Sequence, residues 1–589
     1  MEKIPLRSEA QKCDCWSTND IYAEDALFKA AVAKLSELGH RLAGYKGKLK
    51  TELLAALKLS DEISLLLADT YSYAALRADE DTGDAARQRD LGLISGVAVE
   101  VSALVSYMTP EILSIKDKLP KTPGLEVYKK HIADIIRQGE HILPEREERI
   151  MALSGETAGS AGDVFSMLVD ADMHFGLVRD ENGREVELTH GRFVRFMESK
   201  DRRVRKDAFD ATYKVYGEHR HTLAALQNAH DHKNKFYKLA RGYKSCLEMC
   251  IDDNNIPPAV YHGLIKAAGG GFPDFYKYME LRRRALQLSE LHCYDLYVPF
   301  VENPYGDISY SKAKELVLAA LAPLGEEYLA VIRRAFNEGW IDIYENKGKR
   351  AGAYSNGNPQ CHPFILLNYQ GNLDSVFTLA HELGHAMHSY LSNKTQPACY
   401  REYGIFVAEV ASTVNEALLQ HYLMGIATKE QRLYLQNHAL EQFRATFFRQ
   451  TMFAEFELAT HEEVEGGAVL TAEGLCETYK GLLKKYFGPE VVLDPGIEFE
   501  WSRIPHFYYD FYVYQYATGF AAAQTLAGRI VKGEGVENYL KFLSLGSSLD
   551  PLDALRVAGV DLESPQPVGE ALRIFGETVA GMSKSLFGE

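Results

Sequence analysis

Cysteine is scarce in this 589-residue chain: eight residues, scattered along its length. Cys13-Asp-Cys15 and Cys246-Leu-Glu-Met-Cys250 are the close pairs, and neither has a second pair nearby to complete a zinc clip. A disulfide framework is therefore excluded, and the thiols read as reduced, as in a cytosolic protein. Long apolar runs are also missing. No uncharged run reaches the roughly 18 to 20 residues that span a bilayer. The longest, Leu91 to Met108, carries Glu100 and reads as a buried helix. The first residues lack the apolar core of a secretory signal. Positive charge is in deficit, with 65 Lys plus Arg against 82 Asp plus Glu and a net charge of −17. That balance argues against a nucleic-acid backbone or an anionic membrane as partner. The expectation is a soluble, cytoplasmic protein; monomer and homo-oligomer are not distinguished.

What is present is ordinary for a globular chain, 46% hydrophobic and 25% charged. The length calls for more than one subdomain. Helical periodicity dominates, as in Leu27, Ala30, Ala31, Leu35 and Leu38. Residues 1–110 read as a helical subdomain, 111–200 as a helical segment with a β-hairpin, and 201–589 as the part that carries the chemistry. The hairpin is signalled by Asp180-Glu181-Asn182-Gly183 between Phe175–Arg179 and Arg184–Leu188. The basic stretch Lys200 to Lys206 reads as a solvated helix face. Trp340–Tyr344 and Gly352–Tyr369 have strand character. The fold class is mainly α with a small sheet.

The informative segment is Phe377-Thr-Leu-Ala-His381-Glu382-Leu-Gly-His385-Ala-Met-His388. It places H-E-x-x-H in a helical pattern, with Asp374 or Ser375 as the expected N-terminal cap. Positions four apart share a helix face, so His381 and His385 are placed to bind one metal ion. Glu382 is placed for a metal-bound water. Two imidazoles and a carboxylate suit Zn2+, and an open fourth position makes such a site catalytic. Apolar flanks imply a buried helix, where the polar groups need partners.

A three-histidine zinc set would require glycine at 388 and histidine at 391, but His388 and Leu391 stand there. A carboxylate from a second helix remains, from among Glu402, Glu409 and Glu416. Glu409 lies within Ile405-Phe-Val-Ala-Glu409-Val-Ala411, where a carboxylate is costly unless bound to a cation. It is the expected ligand. Glu416, two turns on, is placed to orient a ligand histidine. Glu402 reads as surface, and His388 as a packing histidine.

Gly352-Ala353-Tyr354 precedes the motif helix and reads as an exposed strand edge that would hold an extended peptide by main-chain hydrogen bonds. Far downstream, five of the 34 tyrosines fall between Tyr508 and Tyr516. On a helix, Tyr509, Tyr512 and Tyr516 share a face. With His506 they are candidate donors for a developing oxyanion.

Taken together, His381–His385, the Phe406–Thr413 segment and the His506–Gly519 run resemble the thimet-oligopeptidase-like (M3) zinc metallopeptidases, and within them the bacterial oligoendopeptidase F branch. Cys15–Tyr22 and Pro363–Tyr369 are similar to segments of that group. The resemblance implies a closed helical ellipsoid with zinc deep in a channel, admitting short unfolded peptides for internal cleavage. It implies His381, His385 and Glu409 as zinc ligands, Glu382 as general base, and His506 with the following tyrosines as transition-state stabilisers. It leaves open which tyrosine acts. Two rivals stand beside it: an H-E-x-x-H metallocarboxypeptidase on a similar helical fold, and a peptide-binding protein with a relict site.

Overall fold

The computed structural model describes residues 4–588. The chain is mainly helical, and its strands are short. It divides into two compact units that are discontinuous in sequence. The first comprises the chain up to Glu140, Tyr305–Ile426 and Ala523–Val560; the second comprises His141–Pro304, Ala427–Ala522 and the chain from Asp561. The three consecutive regions read from the sequence divide the chain differently, because each unit gathers distant stretches of it.

In the first unit, α1 (Asp25–Ala43), α2 (Leu49–Glu80) and α3 (Ala85–Val105) pack on one another. Their apolar positions, Phe28, Leu35, Leu38, Leu42, Leu53, Leu57 and Ile94, fall on facing stripes and form one buried cluster. Asp84 caps α3 by accepting from the Ala86 and Arg87 amides. The expectation of a buried helix over Leu91–Met108 is corrected here. Within α3 itself Ile94 and Val101 are fully buried, whereas Leu93 and Val99 are exposed. Apolar composition did not report burial, because α3 meets its neighbours along one side. Ala85–Ser114 is long and apolar enough, by length and composition, to cross a membrane.

The hairpin forms as β1 (Leu177–Arg179) against β2 (Glu185–Glu187), antiparallel, with Val178 opposite Val186. Gly183 takes the positive φ of 75° that the turn requires. In the second unit β3 (Leu291–His292) and β7 (Val491–Val492) make a short parallel pair. The sheet of the first unit has the order β4-β6-β5, with β4 (Ile341–Asp342) parallel and β5 (Tyr354–Asn356) antiparallel to the central β6 (Phe364–Leu366). All three residues of β6 are fully buried, and β5 forms an edge. Gly357, just after β5, meets the motif helix so closely that a Cβ there would stand 2.3 Å from Ser389 Oγ.

The basic stretch is not wholly a solvated face. Arg205, in the helix Arg202–Glu218, is buried and donates to Asp295 Oδ1 at 2.6 Å and to the Ser199 carbonyl at 2.6 Å. Arg202 reaches the same carboxylate. A partner 90 residues away in sequence left no local signal. Asp295 is itself inaccessible to solvent. Asp295→Ala should therefore strand a buried guanidinium and destabilise the chain by about 3–5 kcal/mol, measured by urea unfolding.

Candidate metal centre

The helix Leu373–Thr395 carries the motif. Its cap is Asn372, whose side-chain oxygen accepts from the Ser375 amide at 2.8 Å, rather than Asp374 or Ser375. A cap must have extended backbone, and Asn372 does (φ −110°, ψ 171°), whereas Asp374 and Ser375 already lie inside the helix. Opposite runs a second helix, Ile405–Ile426, with Glu409 and Glu416. The two come unusually close at Gly384, in the middle of the motif. A Cβ at Gly384 would stand 2.5 Å from the Ser412 Cα and 2.6 Å from the Ala411 carbonyl oxygen. Only glycine permits this backbone approach.

That approach brings the four polar groups together. His381 Nε2 and His385 Nε2 are 3.2 Å apart, and Glu409 Oε2 lies 3.5 Å from the first and 3.6 Å from the second. Among the described residues these three form a group able to hold a metal ion, with ligand atoms within 4.8 Å of one another. Glu416 Oε1 stands 2.5 Å from His381 Nδ1. This contact keeps a proton on Nδ1, so that Nε2 is the nitrogen that faces Glu409 and His385. The buried Ser412 hydroxyl donates toward Glu409 Oε2 at 3.1 Å and toward its carbonyl, steadying that carboxylate. Buried Asn415 donates to the Ala380 carbonyl at 3.1 Å and ties the helices one turn further on.

Burial and crowded charge shift three groups of this cluster. Burial pushes the Glu382 carboxyl up to about 7; the His381 charge opposes this, and the Glu409 and Glu416 carboxylates add to it. One oxygen of Glu382 is buried without a protein partner. His381 is lowered by burial, but its hydrogen bond to Glu416 and the surrounding carboxylates outweigh that and raise it. His385 is depressed by burial and then by the neighbouring His381 charge. Carboxylates that repel one another beside two imidazoles fit a divalent metal of the kind that takes nitrogen and oxygen ligands. His388 is not part of the group. It is buried, stacks on Tyr403 with ring centroids 3.6 Å apart, and is held down to about 3 by burial. Glu402 is exposed.

The peptide-edge residues divide. Tyr354 opens β5, while Gly352 and Ala353 precede it, Gly352 in a turn at φ 85°. Gly352 instead offers its carbonyl to Asn368 Nδ2 at 2.8 Å, and the Tyr354 hydroxyl donates to Asp79 at 2.7 Å. The strand edge thus runs from Tyr354 to Asn356. The span anticipated from Gly352 is corrected, because a left-handed glycine ends the extended backbone.

In the second unit the tyrosine run is not one helix. His506 lies in a 3-10 turn, Pro505–Tyr508, and the helix begins at Tyr514. Tyr509 and Tyr512 therefore precede the helix that holds Tyr516, and the helical-face argument for the three is corrected. A chain reversal at Asp510–Phe511 gathers them all the same. The rings of Tyr509, Tyr512 and Tyr516 lie 5.5, 6.4 and 5.9 Å from that of His506. The Tyr516 hydroxyl is 3.4 Å from His506 Nε2. Tyr509 is largely exposed. Burial, then Arg449, holds His506 below its ordinary value.

The profile of Peptidase family M3 matches residues 195–574, and that of Oligopeptidase F matches 114–175. The chain belongs to peptidase family M3. Within the M3 family, oligopeptidase PepF of Bacillus subtilis (strain 168) is 44% identical over 99% of this chain and 89% of its own length. The group B oligopeptidase PepB of Streptococcus agalactiae is 38% identical over 97% of both. Among solved structures, oligoendopeptidase-F from Enterococcus faecium superposes with a TM-score of 0.75 at 36% identity, covering 96% of this chain and all of that one.

For an M3 peptidase the residues that sequence reasoning passed over are those that hold the helices together: Gly384, Ser412, Asn415 and Tyr403. Gly384 carried a signal, since glycine inside a buried helix pattern marks close backbone approach. The other three carried none that was local.

Two outcomes follow from this geometry. Gly384→Ala should force the helices apart and weaken metal affinity on the order of 100-fold, read from metal retained on dialysis against a graded chelator. An alanine variant that holds metal like its parent would show that the close approach is dispensable. The second concerns pH. An acid whose folded value is raised loses stability as pH rises from its unfolded value, 4.5, through about 7. Metal-free Glu382→Gln escapes that loss. It should match the parent near pH 4.5 and exceed it above pH 7 by at most about 3 kcal/mol in denaturant unfolding. A gap independent of pH would refute the buried-carboxylate account.

Proposed function

We propose that the chain is a zinc-dependent, cytoplasmic endopeptidase that hydrolyses internal bonds of short, unfolded oligopeptides. The observation that carries the reading is the convergence of His381, His385 and Glu409 with Glu382 buried beside them. Membership of family M3 makes the chain a peptidase, and the relatives named oligopeptidase and oligoendopeptidase support short peptides and internal cleavage.

In this reading His381, His385 and Glu409 hold the metal, and Glu416 fixes the His381 tautomer. A zinc ion held by these residues would supply an acidified water and polarisation of the scissile carbonyl. Glu382 takes the water proton and passes it to the leaving amine. Buried beside the ligand histidines, the Glu382 carboxylate is placed for both halves of that transfer. His506, with Tyr509, Tyr512 and Tyr516 around it, supplies hydrogen-bond donors to the oxyanion. Removal of one such donor costs about 3 to 4 kcal/mol of transition-state stabilisation. The outer edge of β5 holds the substrate backbone by strand addition.

Mass spectrometry of products from mixed short peptides and unfolded casein, with and without a chelator, tests the whole reading. Chelator-sensitive internal cuts in the peptides, with casein spared, are expected. Stepwise C-terminal ladders would point to a carboxypeptidase, and no cleavage with any added metal to a binding protein. Glu382→Gln should keep its metal and lose activity by on the order of 10³-fold or more, while Glu409→Ala loses the metal. A Glu382→Gln enzyme that kept most of its turnover would remove Glu382 from the role of base.

A further inference from the structure

The segment that carries His506 is held in a conformation its own residues resist. Asp510 and Phe511 both lie at positive φ, 54° and 59°. Aspartate visits this region at modest cost, but for a bulky phenylalanine it is an outlier, and two in succession persist only where the surroundings enforce them. Two helices of the same unit do so. From Arg220–Arg241, Asn234 Nδ2 donates to Asp510 Oδ1 at 2.8 Å, and Lys233 Nζ lies 3.0 and 3.2 Å from its two oxygens. His230 Nε2 stands 3.0 Å from the same carboxylate. From Arg449–Glu465, the Glu457 carboxyl accepts the Phe511 N–H at 2.6 Å, and the His461 ring packs on the Phe511 ring at 4.5 Å. His461 Nε2 in turn is 3.1 Å from Asn234 Nδ2, which closes the network between the helices.

What this clamp sets is the chain reversal. With residues 510 and 511 left-handed, the rings of Tyr512 and Tyr516 lie 6.4 and 5.9 Å from that of His506 across the turn. We propose that Asp510 is a positioning residue, anchoring this strained turn to the helix Arg220–Arg241 so that His506, Tyr512 and Tyr516 are presented as one preformed group of donors. The inference rests on the zinc-peptidase reading above for what those donors do. Asp510 is suited to test, because its side chain keeps partial access to solvent, whereas Glu457 is fully buried and its loss would orphan a buried amide.

The test uses the full-length, metal-loaded protein. Asp510→Ala should lower kcat by about 10- to 100-fold with KM changed by no more than about threefold, since misplaced donors penalise the transition state and not substrate binding. Metal content should stay that of the parent. Asp510→Asn retains an acceptor oxygen and tolerance of the left-handed region, and should recover kcat to within about threefold. Hydrogen exchange followed by mass spectrometry should show faster exchange confined to the peptides covering Pro505–Tyr516. If Asp510→Ala does not fold, Lys233→Met weakens the same anchor from the helix side and carries the same expectations. Parental kcat in the alanine variant, or no rescue by asparagine, would overturn the proposal. A parent without chelator-sensitive cleavage would sink the zinc-peptidase reading instead; exchange would still decide the clamp, and unchanged exchange over Pro505–Tyr516 would refute it.

Discussion

The contact on which the metal cluster depends is the one with the least side chain in it. At Gly384 the motif helix lies against the backbone of Ala411 and Ser412, with no room for a methyl group. Every distance in the cluster follows from that approach. Histidine and glutamate side chains are of fixed reach, so two helices separated by ordinary packing of larger side chains would leave Glu409 short of the imidazoles. Glycine in a helix is disfavoured by about 1 kcal/mol relative to alanine. Here that cost secures the encounter of three candidate ligands from two elements, with Asn415 and the Tyr328 hydroxyl behind it fixing the register.

The close approach has an electrostatic consequence. It concentrates Glu382, Glu409 and Glu416 around two imidazoles in a place partly withdrawn from water, and Glu382 and both histidines are moved from their ordinary values. One carboxyl is driven up, one histidine up and the other down. Conflict of this kind is what functional sites tolerate and packed cores avoid. The motif helix is closely packed beyond the cluster as well. His388 is stacked on Tyr403, Ser389 meets the Tyr403 hydroxyl at 2.9 Å, and Gly357 seats the sheet against the same helix turn.

How much of this was legible in the sequence follows the range of the interactions. His381, Glu382 and His385 are local, fixed by helical periodicity alone. Glu409 could be singled out because an acidic residue among Phe406, Val407, Val410 and Ala411 is anomalous wherever it folds. Glu416 followed from counting two turns onward. Burial of Arg205 was invisible, since its partner Asp295 lies far along the chain. The exposure of Leu93 and Val99 was equally hidden, because periodicity reports which residues share a face and not whether a neighbour covers it. The tyrosine run was read with the wrong local structure. Spacing of three and seven fits a helix, yet the grouping around His506 arises from a reversal of the chain.

That last case shows how strain carries information that pattern does not. A helix through Tyr509–Tyr516 would satisfy local propensity and leave Asp510 and Phe511 in ordinary backbone. The fold takes the costlier route because two other helices supply what the turn needs: cationic and amide donors for Asp510, and a carboxyl for the Phe511 amide. Burial drives the Glu457 carboxyl well above the ordinary range; the Phe511 amide opposes this, and the nearby Asp510 and Asp231 charges add to it. Asp510 keeps its charge against the cost of burial because His230, Lys233 and Asn234 surround it. One acid is thus pushed up and its neighbour held down within a single network that grips the same turn. The first unit confines its carboxylates by bringing helices together; the second confines an aromatic segment by anchoring a turn. In both, a local conformational cost is met by contacts from residues distant in sequence.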